Sequence, residues 1–300
     1  MYVITGASGN TGKATAERLL ASGQKVRVIG RDAKRLAPLV ERGAEAYVAD
    51  VTDADTLVKA FEGAKAVYTM IPPNLGASDA RAYQERVSDA AAAAIGRAGV
   101  EYAVLLSSIG ADKPERTGPV VGLHNFEQKL NGISELKALY IRAGYFMENL
   151  LPQVGVIKTF GVLAGPLRPD LLLPMIATRD IGEFVAEALL KLEFSGKHTR
   201  EILGERDVNY SQVTALVGKA IGKTDLRYLQ MPASQLKPTL MQMGMSATMA
   251  DLLLEMADAL NSGYMVALEK RSAANTTRTS IEQFISEEFA PRFMGKGAGA

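Results

Sequence analysis

The chain has 300 residues, 47% of them apolar, and a formal net charge of +1 from 34 basic and 33 acidic residues. That length suits one large domain or two lobes around a sizeable core, and a near-neutral charge without a basic run excludes nucleic acid or an anionic membrane as the main partner. With no cysteine there is no disulfide, thiolate metal site or cysteine nucleophile, so any redox chemistry has to come from a bound cofactor.

The chain enters a strand at once, Met1-Tyr2-Val3-Ile4, with no charged leader ahead of it and no later run of the ~20 apolar residues that cross a bilayer. We therefore expect a cytoplasmic protein. Next come Thr5-Gly6-Ala7-Ser8-Gly9-Asn10-Thr11-Gly12-Lys13 and a helical run from Ala14 to Ala21. Strand, glycine turn and helix in that order make a pyrophosphate site. Glycine lets the backbone approach phosphate without a Cβ clash, and a helix start offers unpaired N–H groups and a partial positive charge. The spacing is GxxGxxG, and the cradle runs from Gly6 to Gly12 through Ala7, Ser8, Gly9, Asn10 and Thr11.

Strand-like runs recur at Val26 to Ile29, Ala46 to Ala49, Ala66 to Met70, Ala103 to Leu106 and Ala138 to Ile141. Helical stretches lie between them, at Ala33 to Arg42, Asp55 to Glu62 and Arg81 to Ala98, and Gly23, Gly43, Gly63 and Gly99 stand where each helix needs a left-handed stop. This alternation predicts an α/β fold with a Rossmann-type doubly wound parallel sheet. In such a fold an acidic residue at the end of the second strand holds the ribose of NAD, whereas a basic one suits the extra phosphate of NADP. Here Arg31 stands there, with Lys34 and Arg35 following, so NADPH is expected over NAD; Asp32 is the one neighbouring carboxylate that would suit a ribose. Asp50 and Val51 close the third strand, where the carboxylate either accepts from the adenine amino group or caps the helix near Asp53. Met70, Ile71 and Pro72 end the fourth strand and should lie along the cofactor, since proline there stops the strand and fixes a wall.

No tyrosine is followed by lysine four residues later, which removes the usual Tyr-x-x-x-Lys alcohol dehydrogenase pair. The fifth strand ends in Ser107-Ser108-Ile109-Gly110, whose hydroxyls either bond a substrate or nicotinamide group or cap the loop. His124 opens the next helical segment, with Glu127 and Gln128 on its side and Lys129 pointing away. Its charge state is easily tuned near neutrality, so beside the structural role that a lone histidine often has it is the candidate catalytic residue, donating a proton or bonding near the nicotinamide ribose. From about Leu151, prolines and glycines interrupt the pattern. Residues 1–150 are read as the cofactor lobe and 151–300 as a smaller substrate lobe, with 175–205 returning to the first through the helix Thr178 to Leu190. The Met-rich stretch from Met231 to Met265 is read as core or lid helices, with a pliable acceptor pocket as the alternative, and Gly295 to Ala300 as a loose tail.

Taken together, several motifs resemble the NmrA-like branch of the atypical short-chain dehydrogenase/reductase superfamily. They are the glycine turn, Ser107 to Ala111, His124 followed eighteen residues later by Arg142, the run Arg142 to Asn149, and Ala177 to Gly182. The resemblance implies an NAD(P)-binding Rossmann lobe, a smaller carboxyl-terminal lobe and a cleft between them. It also implies that Tyr145, Phe146 and Asn149 reach the nicotinamide end. Isoflavone reductase-like members and some sensors carry lysine where this chain has His124, and quinone reductase-like members carry histidine. Two functions follow as expectations: an NADPH-dependent reductase of a flat, electron-poor quinone- or dye-like small molecule, or an NADP(H)-binding redox sensor acting through a protein partner. Epimerase or dehydratase chemistry is disfavoured by the missing tyrosine-lysine pair, and a homo-oligomer is compatible with either function.

Overall fold

The computed structural model describes residues 1–295; beyond Gly295, the expected tail lies outside the described residues. Strand β1 (Tyr2–Ile4), helix α1 (Asn10–Ala21), β2 (Val26–Gly30), α2 (Ala33–Val40), β3 (Glu45–Val48) and α3 (Ala54–Phe61) alternate as the apolar runs predict. So do β4 (Ala66–Thr69), α4 (Ala80–Arg97), β5 (Tyr102–Ser108), α5 (Val120–Asn131) and β6 (Lys137–Ala143). Gly23, Gly43, Gly63 and Gly99 all take positive φ just past helix ends, the left-handed stop that glycine adopts without strain. Two helices start earlier than expected. α1 begins at Asn10 rather than Ala14, with Gly9 as its N-cap. α5 begins at Val120 rather than His124, because Pro119 at its N-cap holds a φ of −62° already suited to a helix.

Seven strands make one parallel sheet in the order β10-β6-β5-β4-β1-β2-β3, where β10 is Lys197–Ile202. Alternate side chains of each strand face opposite layers. Ile4, Val28, Tyr68 and Val104 pack with Leu19 of α1, whereas Val3, Ile29, Val67 and Leu105 pack with Phe61 of α3 and Phe126 of α5. Strand order reverses beside β1, which leaves a crevice at the carboxyl ends of β1 and β4.

After β6 the chain builds a smaller lobe. Strand β7 (Tyr145–Phe146), α6 (Gln153–Phe160), β8 (Val162–Gly165) and β9 (Leu173–Ile176) precede α7 (Thr178–Lys191) and β10. Then come β11 (Asp207–Val208), α8 (Tyr210–Ala220), β12 (Arg227–Gln230), α9 (Ala233–Gln242), α10 (Ala247–Asn261) and short helical turns between Ile281 and Phe293. Two small sheets, β11-β9-β7 and β12-β8, close around Leu150, Ile157, Leu163, Val213, Phe284 and Phe289.

Helix α7 and β10 belong to the larger lobe. Ile181, Val185 and Leu189 of α7 enter the core beneath α1, and a Cβ on Gly182 would fall 2.4 Å from the Cβ of Ala14, so only glycine permits this approach. The Thr15 hydroxyl donates to the Gly182 carbonyl at 3.2 Å. Strand β10 then pairs with β6 along its whole length. Among the described residues, no helix is long and apolar enough to cross a membrane.

Candidate cofactor and acceptor site

The glycine turn lies at the carboxyl end of β1. Gly6 takes φ +61°, and a Cβ on Gly12 would come 2.5 Å from the Gly6 carbonyl oxygen, so the first turn of α1 is drawn tightly onto the loop. No side chain caps α1 and its first turn carries no acidic residue, which leaves its leading N–H groups and positive dipole end available to an anion. Gly9 and Asn10 are exposed and Ser8 is half-buried. Ala7 and Thr11 turn inward: Ala7 is fully buried and the Thr11 hydroxyl bonds the Tyr68 phenol at 2.8 Å. Of these two residues only the backbone is left to face a ligand.

Arg31, Lys34 and Arg35 are exposed at the carboxyl end of β2. Asp32 is occupied as the N-cap of α2, its carboxylate accepting from the Lys34 amide at 2.9 Å. Arg35 reaches back to the glycine turn and donates to the Ser8 carbonyl at 3.1 Å. Beside it lies a cavity of about 210 Å³ bounded by Ala7, Ser8, Lys13, Arg35, Pro38 and Leu39. Two cations thus line one small cavity next to the cradle. Lys13 was missed by sequence reasoning; its place directly after the third glycine, on the first turns of α1, was the available signal. Asp50 does not cap α3. It folds an Asx turn on the Thr52 amide (2.9 Å) and hydroxyl (2.8 Å), while Asp53 caps α3 through the Thr56 amide at 3.1 Å. Val51 is buried against Tyr83 and Val87 of α4.

A second cavity, of about 930 Å³, opens at the carboxyl ends of β4, β5 and β6. Met70, Ile71 and Pro72 form one wall, and Ser107, Tyr145, Phe146 and Asn149 belong to the same lining. The far side comes from Met245, Met249 and Met256 on and before α10, and from Met265 beyond it. The Met-rich stretch is therefore helical and also lines a cavity. A strap from Gly263 to Arg271 covers part of the opening. Glu201 of β10 secures it by accepting from the Leu268 and Glu269 amides, both at 2.7 Å. Burial, with Glu269 nearby, raises the Glu201 carboxyl above its ordinary range against the opposing pull of these amides and of Arg142.

Under this cavity lies a buried ionic group that sequence reasoning missed. Glu127 is 2% exposed and takes a forked pair of bonds from Arg142, at 3.0 Å and 2.6 Å. The Ser107 hydroxyl donates to the same carboxylate at 2.6 Å. Removing Arg142 would leave the Glu127 carboxylate buried without its opposite charge, at a cost of about 3–5 kcal/mol. Ser107 is thereby locked in one rotamer with its oxygen held at the cavity wall.

His124 is half-buried one turn into α5, and its Nδ1 donates to the Ala111 carbonyl at 2.8 Å. Its neighbours Val120 and Leu123 line the large cavity, and His124 itself does not. Lys129 faces α4, where Glu85 and Asp89 hold it at 2.5 Å and 2.6 Å. The Tyr145 phenol bonds that of Tyr210 at 3.2 Å, and Tyr210 stacks on Tyr228 with ring centres 4.7 Å apart. Burial pushes the Tyr145 phenol up, so it stays protonated near neutrality as a hydrogen-bond donor.

Sheet order, switch-point crevice and uncapped glycine cradle define a two-lobed Rossmann-fold protein with its cleft at the carboxyl ends of the strands. The chain belongs to the NmrA-like family, whose model matches residues 2–289. No curated protein matches it by sequence. Among solved structures it is similar to the NADPH-dependent quinone oxidoreductase QOR2 from Escherichia coli complexed with NADPH, with 22% identity and a TM-score of 0.80 over 96% of this chain and 100% of that one. It is also similar to the Citrobacter sp. triphenylmethane reductase complexed with NADP(H), with 15% identity and a TM-score of 0.77 over 99% and 100% of the two chains. A nucleoside-diphosphate-sugar epimerase from Staphylococcus aureus shares the fold at 16% identity and a TM-score of 0.78, over 95% and 99%.

Proposed function

We propose that this chain is an NADPH-dependent reductase of small conjugated acceptors of quinone or dye type. One observation carries the reading: the uncapped start of α1 and the apolar cavity open at the same edge of the sheet, so a dinucleotide laid from one to the other presents its nicotinamide to the cavity. The cradle fits a diphosphate because α1 starts without a side-chain cap and Gly9 leaves open space in front of it, and the cavity between Lys13 and Arg35 fits a 2′-phosphate. When bound, the nicotinamide supplies the hydride. Arg31 and Lys34 add positive charge at the adenosine end, and Asp50 and Val51 flank the adenine. Met70, Ile71 and Pro72 wall the nicotinamide, and Ser107, Tyr145, Phe146 and Asn149 orient it and the acceptor. His124 holds the Ala111 loop beside the ribose or passes on a proton from behind the cavity wall.

A flat, electron-poor acceptor spreads the arriving charge over its ring system, so it needs no strong protein acid. This fits a site whose phenol Tyr145 is kept protonated and has no lysine partner. Orientation in a mostly apolar cleft would supply most of the acceleration. The test is NADPH consumption across a panel of quinones, triarylmethane dyes and simple carbonyls, repeated with NADH and with Arg35→Ala. Turnover is expected with a quinone or dye, with NADPH preferred, and Arg35→Ala should weaken NADPH roughly tenfold more than NADH, as for loss of one charge-assisted phosphate contact. Tight NADPH binding with no consumption on the whole panel would overturn the reductase reading in favour of a sensor.

A further inference from the structure

Eleven large apolar side chains stand exposed among the described residues, and four of them converge on the mouth of the large cavity. Leu75 is 49% exposed, Leu172 57%, Val266 49% and Leu268 58%. They come from three separate segments: the loop after β4, the loop before β9, and the strap beyond α10. Scattered surface leucines need no explanation, but four gathered around one opening mark a surface meant to be covered. These side chains line the cavity whose inner end is Ser107 and Tyr145, so the apolar track is continuous from the proposed reaction point to the outside.

We propose that the acceptor carries an apolar tail of several carbons, with its conjugated ring at the Ser107 and Tyr145 end and its tail leaving over Leu172 and Leu268. This inference rests on the reductase reading above. Between ring and mouth the cavity is lined by Met245, Met249, Met256 and Met265, whose unbranched thioether chains adapt to a flexible hydrocarbon better than branched side chains do. Of the three charged groups on the strap, Arg271 bonds Asp207 and the Gly204 carbonyl, and Glu269 lies 3.5 Å from Arg200. The third, Lys270, is one exposed cation in the lining beside four exposed apolar side chains, so apolar surface dominates the exit. The track is also concave and leads inward, which suits a slender ligand rather than the flat face of a second copy.

The experiment uses the full chain, NADPH and benzoquinones bearing no tail or linear alkyl tails of increasing length, each kept dilute enough to stay monomeric and free of vesicles. The specificity constant kcat/KM should rise about twofold to fourfold per methylene, the factor for moving a CH2 from water into apolar surroundings, and then level off once the tail spans the mouth. In a Leu172→Ser, Leu268→Ser double variant, with each rate divided by that protein's rate on the tail-less quinone, this rise should flatten. Both side chains are exposed, and melting curves of the variant check that the fold is kept. No NADPH consumption with any quinone would overturn the reductase reading itself. Turnover independent of tail length would overturn the tail alone, and a slope that survives in the double variant would overturn its placement at this mouth. Sedimentation showing that the variant dissociates a native oligomer would assign the patch to a second copy and overturn the proposal.

Discussion

A Cβ at position 12 would come 2.5 Å from the Gly6 carbonyl oxygen, whereas one at position 9 would lie 3.3 Å from that oxygen and otherwise face open space. The two glycines therefore do different work. Gly12→Val forces backbone apart and should destabilise the protein by about 1–3 kcal/mol, lowering the melting temperature by several degrees. Gly9→Val should keep the melting temperature within a few degrees and abolish NADPH binding, because its side chain stands where a diphosphate would lie. Calorimetric titration beside thermal melts separates them, and retained affinity in Gly9→Val would refute the cradle. For His124, the bond to Ala111 and the absence of its ring from the cavity lining favour support over proton donation. His124→Ala should weaken NADPH several-fold while the pH profile of kcat keeps its shape. Loss of a limb of that profile would make His124 the proton donor. The glycines were legible in the sequence because their requirement is local. Glu127 and Arg142 were not: fifteen positions apart, they meet only because β5 and β6 lie side by side beneath α5.

At the level of elements, the Glu201 carboxylate is one anchor of the strap from Gly263 to Arg271, beside the bonds of Arg271 to Asp207 and the Gly204 carbonyl. Burial raises Glu201, Glu269 adds repulsion, and Arg142 with the Leu268 and Glu269 amides pulls the other way. Because its folded-state value lies above its unfolded one, the folded protein holds this proton more tightly. The stability it contributes is full below the ordinary carboxylate range and is lost as pH rises through the raised value. Glu201→Gln removes that loss, so the melting temperature of the variant minus that of the wild type should increase from about pH 5 to about pH 8. A difference constant with pH would show that Glu201 is not strained by ionisation. The strap itself could not be foreseen, since it has neither a helical nor a strand period. β8 and β12 were also missed: each is four residues long and carries no turn signal specific enough to announce it. The starts of α1 and α5 were misplaced because glycine and proline read as breakers in a sequence, although both are acceptable in a first helical turn when the loop before it is pinned.

Over the whole molecule, the alternation of short apolar runs with glycine-stopped helices was enough to indicate a parallel sheet, and the helix from Thr178 was legible from its polar start and apolar spacing. The way the chain crosses between lobes has a consequence for how such a protein can change over evolutionary time. Strand β10 supplies the edge beyond β6, and α7 covers α1, yet both are encoded after the first elements of the smaller lobe. A gene fusion with one breakpoint near residue 150 would give the amino-terminal lobe an unpaired β6 edge and a bare apolar helix face, both of which invite aggregation. Exchange of the smaller lobe for another needs two coordinated breakpoints, on either side of the returning segment. The lining of the large cavity is therefore altered more readily by point changes in the loops and in the strap than by exchange of a lobe.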